Sequence, residues 1–330
     1  YIYLNGEKIV YVEVTQGVAN LEYTFYGFKD LIKVTIPEGV TNIGDSAFMW
    51  CSSLTSIELP DSVTSIGEKA FAICSSLVSI KLPNGVTSIG NDAFEDCSNL
   101  VSIAIPDSVT SIGDRTFMRC SSLASITIPN GVTSIGDSTF SWCSSLVSIE
   151  LPDSVTSIGN HTFTGCSNLK NIKLPDSVTS IGDSAFSECS NLESITVPEG
   201  VMSIGTAAFW SCNSLKSITI PDSVTNIGAN AFFYCRNLNS VYITDVGAWC
   251  SISFGRDDAN PLYWGNNLYI NGTIAETLEI PEGIQLIPQN AFINGTCIER
   301  VALPKSLIGV AASAFSGCTG IKEVYYAGSE

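Results

Sequence analysis

Basic side chains are scarce: 15 lysines and arginines stand against 32 aspartates and glutamates, for a net charge of −17 and a pI of about 4.3. That balance argues against electrostatic attraction to nucleic acid or to an anionic membrane surface, and suits a basic partner or a cation better. Histidine is reduced to His161. One imidazole cannot complete a Cys/His metal site without other ligands, and no CxxC pair occurs. No apolar run approaches the ~18 residues that would read as a membrane span, and no apolar targeting stretch opens the chain. Also missing are GxSxG, HExxH, a P-loop and a GxGxxG that opens a βαβ unit. An enzyme is therefore the least favoured class, and no cofactor, metal, nucleic acid or membrane insertion is expected.

What the chain has instead is a repeat. A 23-residue unit, Ile-Gly-x-x-(Ala/Thr)-Phe-x-x-Cys-x-x-Leu-x-x-Ile-x-(Leu/Ile/Val)-Pro-x-x-Val-x-x, runs without a gap from Ile43 to Asn226, eight times in succession. Self-similarity at a fixed period of 20 to 50 residues marks a solenoid, because one unit cannot bury its own apolar side and stacking must supply the core. In Leu54-Thr55-Ser56-Ile57-Glu58-Leu59 the alternation sends Ile57 and Leu59 inward, the signature of a half-buried strand. Pro60 ends it. Pro-Asp-Ser, Pro-Asn-Gly and Pro-Glu-Gly then turn the chain, and Val63 and Ile66 return on a second extended leg. Gly67 is expected at a sharp corner. Asp45, Asn91, Asp114, Asp137, Asn160 and Asp183 follow that glycine and are expected to cap a short helical turn, with Phe48 and Cys51 sharing its inward face.

Twelve cysteines would ordinarily raise a disulfide framework, but nine of them, Cys51, Cys74, Cys97, Cys120, Cys143, Cys166, Cys189, Cys212 and Cys235, fall at one repeat position. Coils stacked about 4.8 Å apart hold such a column too far apart for the ~2.04 Å of an S–S bond. Buried, reduced thiols acting as small hydrophobes are the expectation. Cys250 and Cys297 lie off the column, and a bond between them is left open.

The array is read as residues 1–244 with a hairpin-like start, an irregular insert or spacer at 245–277 that contains a hairpin, and continued repeats at 278–330, all one continuous solenoid. Ile280 follows Ile243 by 37 residues, 14 more than the repeat allows. Tyr269-Ile270-Asn271-Gly272 with Leu278-Glu279-Ile280 matches Tyr3-Leu4-Asn5-Gly6 with Val12-Glu13-Val14 at the same offset, and Asn-Gly between extended segments signals a hairpin. The chain starts at Tyr1 rather than Met, and Val324-Tyr325-Tyr326 stands at a strand position near the end, so both ends are expected to be cut from a longer protein.

The string IGDSAFSECSNLESITVPEGV at residues 181–201 resembles the Treponema-type leucine-rich repeat of BspA-like surface proteins, and the resemblance covers nearly the whole chain. It implies an α/β right-handed leucine-rich-repeat solenoid with short strands, tight turns and short helical turns. It further implies a secreted or surface-attached protein of host-associated bacteria or protozoa, of a kind that binds host matrix or mediates adhesion and coaggregation. The family brings no catalytic motif and no fixed binding positions.

Candidate binding residues are therefore sought in columns that vary while the core does not. On the strand face these are Glu58, Lys81, Glu150, Lys173 and Tyr242; around the two positions before cysteine they are Trp50, Trp142, Trp210 and Tyr234. Exposed aromatics are common anchors for partners, and a rigid strand ladder loses little entropy on binding, which gives the strand face a slight preference. The plain alternative is that tolerant positions drift, or that single rings pack on the neighbouring coil. An acidic column at Asp61, Asp107, Asp153, Asp176, Glu199 and Asp222 reads as a solvated edge, since one carboxylate per coil falls short of the six to eight oxygens calcium takes. His161 reads as a solvated residue. The expected function is non-enzymatic, extracellular or cell-surface binding of host protein, glycan or another cell surface, in adhesion; the alternative is a stalk that displays other domains.

Overall fold

Alternation in Ser56-Ile57-Glu58 buries the isoleucine and exposes its two neighbours, and the strand Ser56–Glu58 has that pattern in the computed structural model. The structure describes residues 3–4, 7–8 and 11–328, with backbone alone at 3–4 and 7–8. Two compact units, 1–175 and 176–330, are each a β-solenoid of 23-residue coils.

In the first unit the long legs Ser56–Glu58, Ser79–Lys81 and Ser102–Ala104 pair in parallel, placing Ile57 beside Ile80 and Ile80 beside Ile103. The short legs Asn42–Ile43, Ser65–Ile66, Ser88–Ile89 and Ser111–Ile112 make a second parallel ladder. The second unit repeats both ladders, with long legs Ser194–Thr196, Ser217–Thr219 and Ser240–Ile243 and short legs Ser180–Ile181, Ser203–Ile204 and Asn226–Ile227. A register of one full repeat sets like against like, so the inward residues become columns.

The third side of each coil departs from the expected helical turn. Among the described residues no helix forms there. Alternate amides bond locally and laterally: Ala47, Met49 and Cys51 donate three residues back, to Gly44, Ser46 and Phe48, while Ser46, Phe48 and Trp50 donate to Glu68, Ala70 and Ala72 of the next coil. Such a run of tight turns places Ser46 and Trp50 in the left-handed region, at φ 52° and 69°. The expected cap also points sideways. Asp45 Oδ1 accepts from the Glu68 amide at 2.8 Å, Asn91 Oδ1 from Asp114 at 2.8 Å and Asp137 Oδ1 from Asn160 at 2.7 Å, each in the following coil. Gly67 has no positive φ; a Cβ there would stand 2.6 Å from Asp45 Oδ1 and 2.7 Å from its amide nitrogen. Close approach of stacked coils, rather than a corner, requires this glycine.

Phenylalanine fills the centre. Phe48, Phe71, Phe94 and Phe117 are fully buried and stack in parallel with centroids 5.2 to 5.6 Å apart. Beside them the ladder cysteines are free thiols, and they do more than fill space. Cys74 Sγ donates to the Phe48 carbonyl at 3.1 Å, and Cys97 and Cys120 do the same to Phe71 and Phe94. Burial pushes the Cys51 and Cys143 thiols up to about 12 and Cys97 and Cys120 well above the ordinary thiol range, because a thiolate would be stranded in an apolar core. Cys250 and Cys297 are separate free thiols.

Residues 245–277 break the pattern while continuing its ladders. Asp245 caps a one-turn helix, Val246–Trp249, by accepting from the Ala248 amide. Ser253–Phe254 then pairs with Asn226–Ile227, and Asn267–Ile270 pairs with Ser240–Ile243. The segment thus supplies both legs of a coil, at an offset of 27 between Ser240 and Asn267 rather than 23. Asn271 and Gly272, at φ 50° and 78°, turn the chain into Thr273–Ile274, which pairs antiparallel and ends the sheet. A fresh parallel sheet starts at Thr277–Glu279. The same order opens the chain: Tyr3–Leu4 pairs antiparallel with Glu7–Lys8, and Tyr11–Glu13 then pairs in parallel with Lys33–Thr35. The expected Asn5-Gly6 turn lies outside the described residues.

Candidate functional site

Side chains on the long leg point outward at every second residue, which places Glu58 beside Lys81 and Glu150 beside Lys173 in the first unit. All four are exposed. Each lysine of the candidate set therefore has a carboxylate as its ladder neighbour, so the strand face carries mixed charge. In the second unit the same column reads Thr196, Thr219, Tyr242, Tyr269, and the Tyr242 and Tyr269 rings stack at 4.8 Å. Tyr269 joins the column because the 245–277 segment rejoins the ladder, which a plain 23-residue count misses.

Of the turn-side aromatics in the first unit, Tyr23 and Tyr26 pair at 6.4 Å, whereas the candidates Trp50 and Trp142 stand apart from each other. Trp50 is 38% exposed with the Lys29 ammonium 5.5 Å from its ring centre. Trp142 is 45% exposed and lies over Gly165 of the next coil, where a Cβ would come within 2.7 Å of the ring. For these two, packing on a neighbouring coil accounts for the ring. Nearby, Asp92 is buried against Arg115, with Nε–Oδ1 at 2.6 Å, and this pairing holds the arginine's pKa above its ordinary value. His161 is exposed, as are Asp61, Asp107 and Asp153 of the acidic column in this unit and Asp176, Glu199 and Asp222 in the other.

The second-unit aromatics converge. Trp210 meets Tyr234 edge to face at 6.1 Å and 78°, Phe233 lies 4.3 Å from Tyr234, and Trp264 lies 6.3 Å from Tyr234 with the rings 26° from parallel. Tyr263 packs on Trp264 at 5.3 Å. The guanidinium of Arg236 sits 5.2 Å from the Tyr234 ring centre. Tight turns aim these groups: Ser211 and Tyr234 are left-handed, at φ 60° and 61°, and the Arg236 amide donates to the Tyr234 carbonyl at 2.9 Å. Trp210 and Tyr234 were legible from their place beside cysteine. Tyr263 and Trp264 were not, because they belong to the segment without repeat register; the run Tyr263-Trp264 within it is the available signal.

That segment is anchored by unique side chains. Trp249 is buried and its Nε1 donates to the Ala291 carbonyl at 2.8 Å. Asn260 Nδ2 donates to the carbonyls of Asn290 and Ala291 at 2.8 and 3.0 Å, and Asn294 Nδ2 donates to the Tyr263 carbonyl. The last contact fixes the backbone next to Trp264. Among the described residues no group of three or more His, Cys, Asp or Glu side chains is placed to hold a metal ion, and no helix is long and apolar enough to cross a membrane.

Comparison with known proteins places the repeat. A family model described as BspA type leucine rich repeat region matches residues 20–147, 133–254 and 263–329. A leucine-rich repeat protein of Bacteroides ovatus is similar at 29% identity with a TM-score of 0.73, over 98% of this chain and 88% of that one. The leucine-rich repeat protein of T. pallidum shares 38% identity over 49% of this chain and 78% of its own, with a TM-score of 0.47. A leucine rich cell surface protein of Faecalibacterium prausnitzii shares 28% identity over 98% of this chain and 89% of its own, at a TM-score of 0.43. No curated protein matches. With nearly every coil inside the matched residues and the columns in register, the chain belongs to the BspA-type leucine-rich-repeat family.

Proposed function

We propose that this chain is a non-enzymatic, extracellular binding protein that holds a host protein, a glycan or another cell surface through outward columns of its coils, in adhesion. The observation that carries the reading is the convergence of Trp210, Phe233, Tyr234 and Trp264 with Arg236 in the second unit. Rings that merely drift at tolerant positions have no reason to gather, whereas gathered, partly exposed aromatics are what partner surfaces use. Membership of the BspA-type family supports a protein-interaction role and a surface location. The test is a screen of purified chain on host-protein and glycan arrays, repeated with Trp210→Ala/Tyr234→Ala. Loss of the leading signal in the double variant supports the reading, and signals that are unaffected by it and by Lys81→Glu/Lys173→Glu overturn it.

A second reading applies to the first unit. Trp50 and Trp142 stand apart and each is engaged with a neighbouring coil, which favours a spacer role for that unit. The strand face remains an alternative binding surface in the second unit, supported by the Tyr242–Tyr269 stack.

A further inference from the structure

A cleft of about 610 Å³ opens among Trp210, Ser211, Asn213, Tyr234, Arg236 and Asn237, within the range of small-ligand sites. Its composition is at odds with the chain around it. In a protein with 32 acidic and 15 basic residues, the lining holds no carboxylate and one cation, and among the described residues no carboxylate pairs with the Arg236 guanidinium. The rim is held in place from within: Asn237 Nδ2 donates to the Asn213 carbonyl at 2.7 Å, and Asn213 Nδ2 to Ser211 Oγ at 3.2 Å. Two rings nearly perpendicular to each other, Trp210 and Tyr234, form an aromatic corner with amides and a hydroxyl along its edge.

A sugar ring matches that corner. Its C–H face packs on an aromatic face, which carries partial negative charge, and its hydroxyls exchange hydrogen bonds with amide and hydroxyl groups of both senses. Arg236 adds a planar fork that suits a carboxylate in bidentate geometry. The net charge of −17 disfavours a densely charged polyanion, whose many charges would meet the acidic surface, but a single carboxylate within a few ångströms of Arg236 lies inside the ~8 Å screening length that hides the rest. Building on the binding reading above, we propose that the Trp210–Tyr234–Arg236 cleft is a subsite for a carboxylated sugar, a sialic or uronic acid residue within an oligosaccharide.

Calorimetric titration of the full chain with sialylated and uronate-containing oligosaccharides, beside the same sugars with the carboxyl group removed or reduced, tests this directly. Binding of one carboxylated class is expected. Reduction of the carboxylate and Arg236→Gln should each weaken it about tenfold or more, and the two losses should not add. Trp210→Ala should abolish binding, while Trp50→Ala, with its ring in the other unit, should leave it unchanged. Circular dichroism and melting temperature of Arg236→Gln, an exposed site, check that the fold is intact. Equal binding of the neutral sugar, or no binding of any carboxylated sugar at millimolar concentration, overturns the proposal. A protein ligand found on the arrays and lost with Trp210→Ala while every sugar fails would retain the binding function but overturn the glycan assignment.

Discussion

Coils of the first unit and the 245–277 segment of the second solve the same problem of burial in opposite ways. In the regular coils each inward position is a column of one residue type, so Phe meets Phe, thiol meets the preceding coil's phenylalanine carbonyl, and Asp meets the next coil's amide. Between its two ladder legs the segment follows no column, and single contacts hold it: Trp249 and Asn260 donate to carbonyls at Asn290 and Ala291, and Asn294 of the following repeats donates to the Tyr263 carbonyl. The regular solution can be extended indefinitely, but its turn-side aromatics meet only in small groups within or between adjacent turns, as Trp210 meets Tyr234. The irregular one brings Tyr263 and Trp264 against Tyr234 and Phe233. A repeat protein acquires a distinctive local surface where the repeat is broken.

The largest expected effect is of pH on the regular coils, which carry a buried thiol at the same repeat position, whereas the segment carries Cys250 alone. Ladder thiols ionise freely in the unfolded chain from about the ordinary value of 9.0, but Cys51 and Cys143 resist until about 12 when folded. Above pH 9.0 the unfolded state therefore binds fewer protons, and stability falls as pH rises towards 12, by up to about 1.4 kcal/mol per pH unit for each such thiol. Several thiols acting together should unfold the regular coils near pH 11 under reducing conditions, followed by circular dichroism. Cys143→Ala should make the transition less steep by about one proton, and a native spectrum retained at pH 12 would contradict the ladder account.

Next in size is Phe140→Ala. The ring stacks on Phe117 and Phe163, 5.6 Å away on either side, so truncation leaves a gap facing two coils and should cost about 3 to 5 kcal/mol. Coupling in a stack runs between neighbours, so amide exchange should rise first in the coils that hold Phe117 and Phe163. Uniform loss of protection along the first unit would count against the column model.

In the irregular segment the corresponding change is Asn260→Ala. Both carbonyls that Asn260 bonds keep another donor, Asn290 the Ile293 amide and Ala291 Trp249 Nε1, but the buried Leu262 amide loses its acceptor, Asn260 Oδ1. A buried amide left so costs about 1 to 3 kcal/mol. Exchange should rise between about residues 257 and 295 and leave the Phe186–Phe209–Phe232 column of the same unit protected longer. If the loss spread to that column at once, the segment would be acting as one more coil and the contrast would fail.

How much of this was legible differs along the same line. Period, inward columns, reduced cysteines and the exposure of Glu58, Lys81, Glu150 and Lys173 follow from residue spacing alone, because a register of one repeat turns spacing directly into contact. The helical turn did not form, since alternate amides on that side bond to the next coil, an option that only stacking provides. Thiol donation to phenylalanine carbonyls was missed for the same reason. Within 245–277, Asn271-Gly272 was readable because a two-residue turn is local. The aromatic cluster was not, since Trp264 reaches Tyr234 from 30 residues away along a path without period.

The smallest expected effect decides what the acidic residue after each glycine does. Asp137 Oδ1 accepts from the Asn160 amide at 2.7 Å, one coil further on, whereas a helix cap would bond two or three residues ahead in its own coil. Asp137→Ala should cost about 1 kcal/mol, the ordinary value of such an acceptor at an exposed site. Asp137→Asn keeps an acceptor oxygen in place and should cost less. Amide exchange distinguishes the two geometries. If the bond is lateral, Asp137→Ala speeds exchange at Asn160 while Thr139, whose amide donates to the Gly136 carbonyl, is spared. Faster exchange at Thr139 with Asn160 unchanged would restore the cap, and with it the helical turn that repeat spacing alone implies.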